Sequence, residues 1–289
     1  MHGRISKGVA GSYVVLSENG PVICKPKGLF RNDKKKPLVG DSVEFDMLPD
    51  GTGVIAEILE RTSILIRPEV ANATQAMLVF AITQPDPAMN LADRFLINME
   101  MAHVPTFIVF NKADLADEKK IKETEDIFKG SGCEVFFVSA KFGQGIDEIK
   151  KKLHGQSTVL AGPSGVGKST LTNLLQDEAI METGELSEKI LRGKNTTRHT
   201  QLLKISADSY IYDTPGFTSF YVTGIDEREL WKYYPEMADC SGLCRFTGCV
   251  HINEPDCEVK KRVAEGLISS VRYDNYKQIY SDIKQSRKY

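Results

Sequence analysis

The chain has 289 residues, of which 41% are hydrophobic, and a formal net charge of −2. That length allows two domains or three small ones, and the apolar content supports buried cores. No apolar run is long enough to span a membrane, and the start M-H-G-R-I-S-K-G-V-A lacks an apolar signal core, so the sequence predicts a cytosolic protein without a membrane partner.

Charge is unevenly placed. Residues 1–40 carry eight basic and two acidic groups, residues 240–289 nine basic and six acidic, and the middle is acidic. Two basic ends suit contact with a polyanion such as RNA, although lysine-rich ends also serve as plain solvated surface.

Residues 1–65 predict short strands: G-S-Y-V-V-L, P-V-I-C-K, D-S-V-E-F-D and G-V-I-A-E-I-L. Asn19-Gly20 and Asp50-Gly51 are hairpin signals between them. Strands this short and close predict a small β-barrel, an OB-fold. The basic loop around Lys25–Lys36, with Phe30 in it, would lie at the barrel's edge as a nucleic-acid face.

From about residue 74 the pattern changes. A-M-L-V-F-A-I is a continuous apolar run, as buried parallel strands show. It is followed by a helix (L-A-D-R-F-L-I-N-M-E-M-A), strand P-T-F-I-V-F, a charged helix over about 117–130, strand E-V-F-F-V, a helix over about 146–153 and strand S-T-V-L-A. Such alternation predicts a doubly wound α/β sheet, whose functional loops gather at the carboxyl ends of the strands. After residue 223 the chain turns helical, with one cysteine-rich interruption. Tyr273, Tyr276 and Tyr280 recur at helical spacing there and are expected to pack a helix. The expected domains are 1–67, 68–223 and 224–289.

Three motifs sit at predicted strand ends. Gly162, Pro163, Ser164, Gly165, Val166, Gly167, Lys168, Ser169 and Thr170 match the phosphate-loop pattern between a strand and a helix. Their backbone N–H groups would cradle phosphates, with Lys168 bridging the β- and γ-phosphates and Ser169 binding Mg²⁺. Asn111, Lys112, Ala113 and Asp114 form a guanine reader: the Asp114 carboxylate accepts from N1–H and the 2-amino group, which adenine lacks. Lys112 would lie along the base and Asn111 would tie the loop together. Ser139, Ala140 and Lys141 follow the next strand, where a backbone N–H can reach guanine O6.

Asp213-Thr214-Pro215-Gly216 follows a short strand, S-Y-I-Y. Asp213 would hold the Mg²⁺ shell and Gly216 would sense the γ-phosphate. Upstream lies the polar stretch R-G-K-N-T-T-R-H-T, in which Thr196 or Thr197 would complete that shell. Base reader, second base loop, phosphate loop, first switch and second switch thus succeed one another, which is a circular permutation of a Ras-like P-loop domain. If the sheet is unchanged, chain order does not matter to the pocket.

Cys244, Cys249, His251 and Cys257 supply three thiolates and one imidazole, a closed set suited to one structural Zn²⁺. Cys240 is a spare that can replace a ligand. Cys24 and Cys133 are expected to be buried thiols.

N-K-A-D before G-P-S-G-V-G-K-S-T before D-T-P-G, the stretch R-G-K-N-T-T-R-H, and the knuckle C-R-F-T-G-C-V-H-I-N-E-P-D-C resemble the small ribosomal subunit biogenesis GTPases, the RsgA (also YjeQ or YloQ) family. The resemblance covers essentially the whole chain. It implies an N-terminal OB-fold, a permuted GTPase using GTP, GDP and Mg²⁺, and a C-terminal helical zinc domain. It also implies binding to the 30S subunit and its 16S rRNA in late maturation, with hydrolysis stimulated by that particle and release afterwards. A monomer is expected, with no DNA partner. The family usually has a histidine, linked to hydrolysis, directly before the Thr-Thr pair. Here Asn195 stands there and His199 lies four residues on; with Lys168 they are the catalytic candidates. Ras-like enzymes orient water with a glutamine just after the D-x-x-G motif, and Phe217 holds that place.

Overall fold

The computed structural model describes residues 1–27, 36–176, 200–214 and 220–286. Asn195, Thr196, Thr197, His199, Gly216, Phe217 and Phe30 lie outside the described residues. The chain divides into two compact units: Met1–Met77, Ile146–Ala161 and Lys168–Gly216 form the first, and Leu78–Gly145, Gly162–Gly167 and Phe217–Tyr289 the second.

In the first unit, β1 (His2–Val9), β2 (Ser12–Ser17), β3 (Gly20–Pro26), β4 (Ser42–Met47) and β5 (Gly53–Ile58) close a barrel in the order β1-β2-β3-β5-β4. This is the five-stranded closure expected of an OB-fold. Both hairpin signals act as anticipated. Ser17 pairs with Gly20 across the β2–β3 turn, and the Asp50 carboxylate accepts from the Thr52 N–H at 2.9 Å in the β4–β5 turn. Ile5, Val15, Cys24, Val43, Phe45, Ile55 and Ile58 fill the interior. Strand β1 was not among the expected strands, because its sequence H-G-R-I-S-K-G-V interleaves glycines and charges with few apolar residues.

A short hairpin follows, β6 (Ile64–Ile66) with β7 (Glu69–Ala71), and it spans the expected domain boundary at residue 67. The sheet begins with β8 (Gln75–Ala81), buried at all seven positions. The boundary between the units falls within β8, after Met77; the other sheet strands of the first unit run in the order β11 (Ser157–Ala161), β13 (Tyr210–Asp213), β12 (Gln201–Lys204). β11 and β13 are parallel, while β12 is an antiparallel edge that follows a polar stretch and escaped sequence analysis. Helices α3 (Ile146–Leu153) and α4 (Lys168–Leu175) flank β11 in sequence.

The second unit holds β8, β9 (Thr106–Asn111) and β10 (Val135–Phe137) in that order, with β9 and β10 parallel. Phe80, Phe110 and Phe137 stack at centroid separations of 6.1 and 5.6 Å. Phe80 and Phe110 are fully buried, worth roughly 1.5–3 kcal/mol each, while Phe137 is half-buried. Helices α1 (Met89–Met101) and α2 (Glu118–Ile127) complete the α/β part; Asp117 caps α2 by accepting from the Lys120 N–H at 2.8 Å. The C-terminal part is helical: α5 (Pro235–Ala238), α6 (Glu258–Ala264) and α7 (Ser270–Ser286). Tyr276 is fully buried and Tyr273 nearly so, as helix-packing tyrosines.

Helix α7 is fastened to α1 by a buried charge cluster. The Arg272 guanidinium donates to Asp93 of α1, and its Nε donates to Glu236 Oε1 of α5 at 2.5 Å. Asn275 Nδ2 adds a bond to Asp93 Oδ2 at 2.6 Å. Arg272 is only 2% exposed. Two carboxylates therefore share one guanidinium away from water. Burial pushes the Asp93 carboxyl up to about 6, against the pull of Arg272.

Candidate nucleotide and metal sites

Asn111 ends β9, and its side chain makes two buried bonds. Nδ2 donates to the Val166 carbonyl of the phosphate loop at 2.8 Å, and Oδ1 accepts from the Ala140 N–H at 2.9 Å. One amide thus ties together three loops that are up to 55 residues apart in the chain. Gly167 shows how tight the contact is: a Cβ there would lie 2.3 Å from Asn111 Nδ2, and its φ of +96° already disfavours a side chain.

The candidate base-reading loops are held by side-chain bonds of their own. Ser139, fully buried, donates its hydroxyl to Asp114 Oδ1 at 2.5 Å. That bond fixes the carboxylate's direction and leaves its other oxygen as an acceptor. Lys112 adopts a left-handed backbone, φ 64°, and its ammonium donates to the Gln84 carbonyl in the loop after β8. Among the backbone donors of the second base loop, the Ser139 N–H goes to Gln144 O at 3.0 Å and the Ala140 N–H to Asn111. The Ser139 hydroxyl and the Gln84 carbonyl were missed by sequence reasoning. Ser139 was expected there through its backbone N–H, but spacing does not reveal what its hydroxyl binds, and a carbonyl carries no sequence signal at all.

On the phosphate side, Leu160 near the end of β11 is in register with Asp213 at the end of β13. Thr214 Oγ1 donates to the Leu160 carbonyl at 2.7 Å and locks the two strand ends together. Lys168 opens α4 directly after the loop. Burial lowers its pKa, and the nearby Asp213 carboxylate offsets part of that shift. An anion bound beside Lys168 would oppose the effect of burial and favour the charged ammonium.

The four knuckle residues converge. His251 Nδ1 lies 3.6, 3.5 and 3.3 Å from the sulfurs of Cys244, Cys249 and Cys257, and Cys244 Sγ lies 3.9 Å from Cys257 Sγ. All four ligand atoms fall within 4.8 Å of one another. Tetrahedral zinc with Zn–S of about 2.3 Å and Zn–N of about 2.0 Å requires edges of about 3.5–3.8 Å. The donor set therefore fits a structural zinc. Burial lowers the His251 pKa, favouring the neutral, ligating imidazole. Cys240 stands apart from the four, with its thiol directed to the Glu236 carbonyl at 3.6 Å.

Supporting bonds hold the knuckle. The Glu254 carboxylate accepts from the N–H groups of Val250, Ile252 and Asn253 at 2.9–3.1 Å. Burial alone would raise its pKa; those donors outweigh burial and lower it. From α7, the Tyr273 hydroxyl donates to the His251 carbonyl at 2.7 Å and the Tyr276 hydroxyl to the Val250 carbonyl at 2.6 Å. The tyrosines thus do more than pack.

The model of the RsgA GTPase family matches residues 58–223, and that of the RsgA N-terminal domain matches residues 2–55. This chain belongs to the RsgA GTPase family. A relative from Agathobacter rectalis, named small ribosomal subunit biogenesis GTPase RsgA, is 50% identical over 100% of both chains. A Clostridium perfringens protein of the same name is 45% identical over 99% of each chain. The crystal structure of YjeQ from Thermotoga maritima matches with a TM-score of 0.80 at 35% identity, covering 98% of each chain. YloQ, described as a circularly permuted GTPase, matches with a TM-score of 0.77 at 34% identity, covering 99% of this chain and 95% of that one. RsgA membership makes the chain a GTP hydrolase and its central fold a permuted GTPase.

Proposed function

We propose that this chain is a ribosome-stimulated GTPase that binds the 30S subunit through 16S rRNA, assists its late maturation, and leaves once GTP is hydrolysed to GDP and phosphate. The observation that carries the reading is the Asn111 amide, which joins the base-reading loop to the phosphate loop although the chain presents them in reverse of the usual order. The relatives' printed name supports the ribosomal partner. The organisation we favour is a barrel over 1–67, a GTPase domain over 68–223 and a zinc domain over 224–289. The protein works in the cytoplasm as a monomer.

In this reading Asp114 accepts from guanine N1–H and the 2-amino group, aided by the Ser139 hydroxyl that aims it. Lys112 leaves the Gln84 carbonyl and lies along the base. Ala140 and Lys141 border guanine O6. Residues Gly162–Gly167 turn backbone N–H groups toward the β-phosphate, and the N-terminus of α4 adds its dipole. Lys168 bridges β- and γ-phosphates. Ser169, Thr197 (or Thr196) and Asp213 would hold Mg²⁺, which would supply positive charge against that developing on the phosphates. Thr170 follows in the same turn, and Gly216 senses the γ-phosphate. Cys244, Cys249, His251 and Cys257 hold one zinc, which fixes the knuckle.

Hydrolysis also needs water aimed at the γ-phosphate. Phe217 cannot do this, since a phenyl ring offers no hydrogen bond. Asn195 and His199 are the candidates on the first switch. Slow turnover by the free protein follows, with acceleration on the 30S particle, where an ordered switch or rRNA completes the site. The test is GTP turnover with and without purified 30S subunits. Strong stimulation is expected; equal rates would end the proposal.

A further inference from the structure

His251 is the one nitrogen donor of the knuckle, and its backbone is strained. It is buried and sits at φ +60°, in the left-handed region that non-glycine residues seldom occupy. Such a conformation costs about 1–3 kcal/mol and persists only where the surroundings hold it. Here they do. The Glu254 carboxylate accepts from the N–H groups on either side of His251, those of Val250 and Ile252, at 3.0 and 2.9 Å. Tyr276 donates to the Val250 carbonyl and Tyr273 to the His251 carbonyl.

These bonds place the His251 backbone but leave its ring to be set by something else. The torsion about Cβ–Cγ of a histidine has a broad, roughly two-fold preference, and half a turn exchanges Nδ1 for a ring carbon. Nδ1 nevertheless faces the three sulfurs at 3.3–3.6 Å. Trp231 packs against that ring: the two centroids lie 5.8 Å apart with the planes at 90°, an edge-to-face contact. Trp231 is itself held. It lies in the 3₁₀ segment Glu227–Tyr233, whose start is capped by Asp226 accepting from the Arg228 N–H at 2.9 Å. It is partly buried against the core that includes Leu230, Cys249 and Cys257.

We propose that Trp231 is a positioning residue for the zinc ligand His251: its indole bars the imidazole from turning and keeps Nδ1 toward the three thiolates before metal arrives. The inference rests on the reading that the knuckle holds one zinc. Ligands already in place bind more tightly, because less ordering is left to the metal. Alanine at this position leaves room for the imidazole to turn. Phenylalanine keeps a flat aromatic ring against it and replaces tryptophan in part.

The experiment compares the full chain as wild type, Trp231→Ala, Trp231→Phe, His251→Ala and the double variant Trp231→Ala with His251→Ala. Zinc affinity is measured by competition with a chromophoric chelator. Thermal unfolding is followed with the metal bound and removed, and cobalt(II) replaces zinc so that its visible absorption reports the ligand set. Trp231→Ala is expected to weaken zinc by about tenfold or more, as loss of groups that orient a metal's ligands does, and to move the cobalt spectrum toward that of His251→Ala. Trp231→Phe is expected to stay within about threefold of wild type with the wild-type cobalt spectrum. The double variant should bind zinc no more weakly than His251→Ala, because Trp231 acts through the imidazole alone. Should Trp231→Ala fail to fold, Trp231→Leu takes its place with the same expectations, since it keeps apolar volume without a flat ring. Wild-type zinc affinity and cobalt spectrum in the alanine or leucine variant would reduce Trp231 to packing and overturn the inference. Equal loss of stability with and without metal at unchanged affinity, a phenylalanine variant as impaired as the alanine one, or a further loss in the double variant would do the same while leaving the zinc reading intact. A wild type that binds no zinc would remove the zinc reading and this inference together.

Discussion

The Asn111 side-chain amide donates to the Val166 backbone carbonyl at 2.8 Å, which fixes the end of β9 against the loop that precedes α4. Replacing Asn111 by Ala leaves that carbonyl and the Ala140 N–H buried without partners. Each orphaned group costs about 1–3 kcal/mol. Asn111→Ala is therefore expected to lower thermal stability and to weaken both GDP and GTP by at least about tenfold, since the two loops no longer hold a common geometry. Titration with a fluorescent guanine nucleotide checks this. Undiminished affinity would mean the contact is a bystander.

Asp114 should set base identity. In Asp114→Asn the side-chain amide can donate to the 2-oxo group of xanthine but repels the 2-amino group of guanine. Preference is expected to move from GTP toward xanthosine triphosphate, with loss of GTP affinity by roughly 10²-fold or more, as sites built around a buried polar partner show. Competition binding with GTP, ATP and xanthosine triphosphate reads the change. Ser139→Ala should weaken GTP less, because it removes only the hydroxyl that orients the carboxylate.

Some of this was legible in the sequence for identifiable reasons. Strands such as Gln75–Ala81 and Ser157–Ala161 are mostly apolar and buried at every position, so composition and burial agree. The cysteine knuckle was readable because four soft ligands fall within one short stretch. The Asn111–Val166 bond was not, since the partner atom is a backbone carbonyl. Strand β1 was hidden by Gly3, where a Cβ would lie 2.4 Å from Val15; glycine there serves close packing but reads as a turn signal. Arg272 was counted with the basic C-terminal surface, yet it is buried between two carboxylates contributed by α1 and α5. Long-range pairing of single charges has no period and no motif.

The knuckle should be a metal-dependent unit. Cys257→Ser, or treatment with a strong chelator, is expected to release one zinc per chain and to loosen the loop held by Tyr273 and Tyr276. Cys240→Ala should keep full metal content, because its thiol faces the Glu236 carbonyl. Elemental analysis beside near-ultraviolet circular dichroism tests both. Zinc loss in the Cys240 variant alone would reverse the ligand assignment.

Arg272 should be the costliest single residue in the second unit. Arg272→Leu leaves Asp93 and Glu236 as two buried carboxylates without their cation, and breaking such a pair typically costs about 3–5 kcal/mol. The same cluster sets a pH trend. Asp93 has its carboxyl raised from 3.8 to about 6, chiefly by burial, with Arg272 and Asn275 opposing and Glu236 adding to the rise. A group with a raised folded pKa binds more protons folded than unfolded, so its contribution to stability is greatest below about pH 4 and is lost as pH climbs through about 6. Asp93→Asn keeps a hydrogen-bonding partner for Arg272 and removes the titration. Between pH 5 and pH 7.5 the wild type should therefore lose more stability with rising pH than the variant does. Unfolding of the two proteins in denaturant across that range measures the difference, and comparing them cancels the pH dependence of metal binding that both share. Parallel curves would show that Asp93 stays ionised throughout and that Arg272 fully compensates its burial.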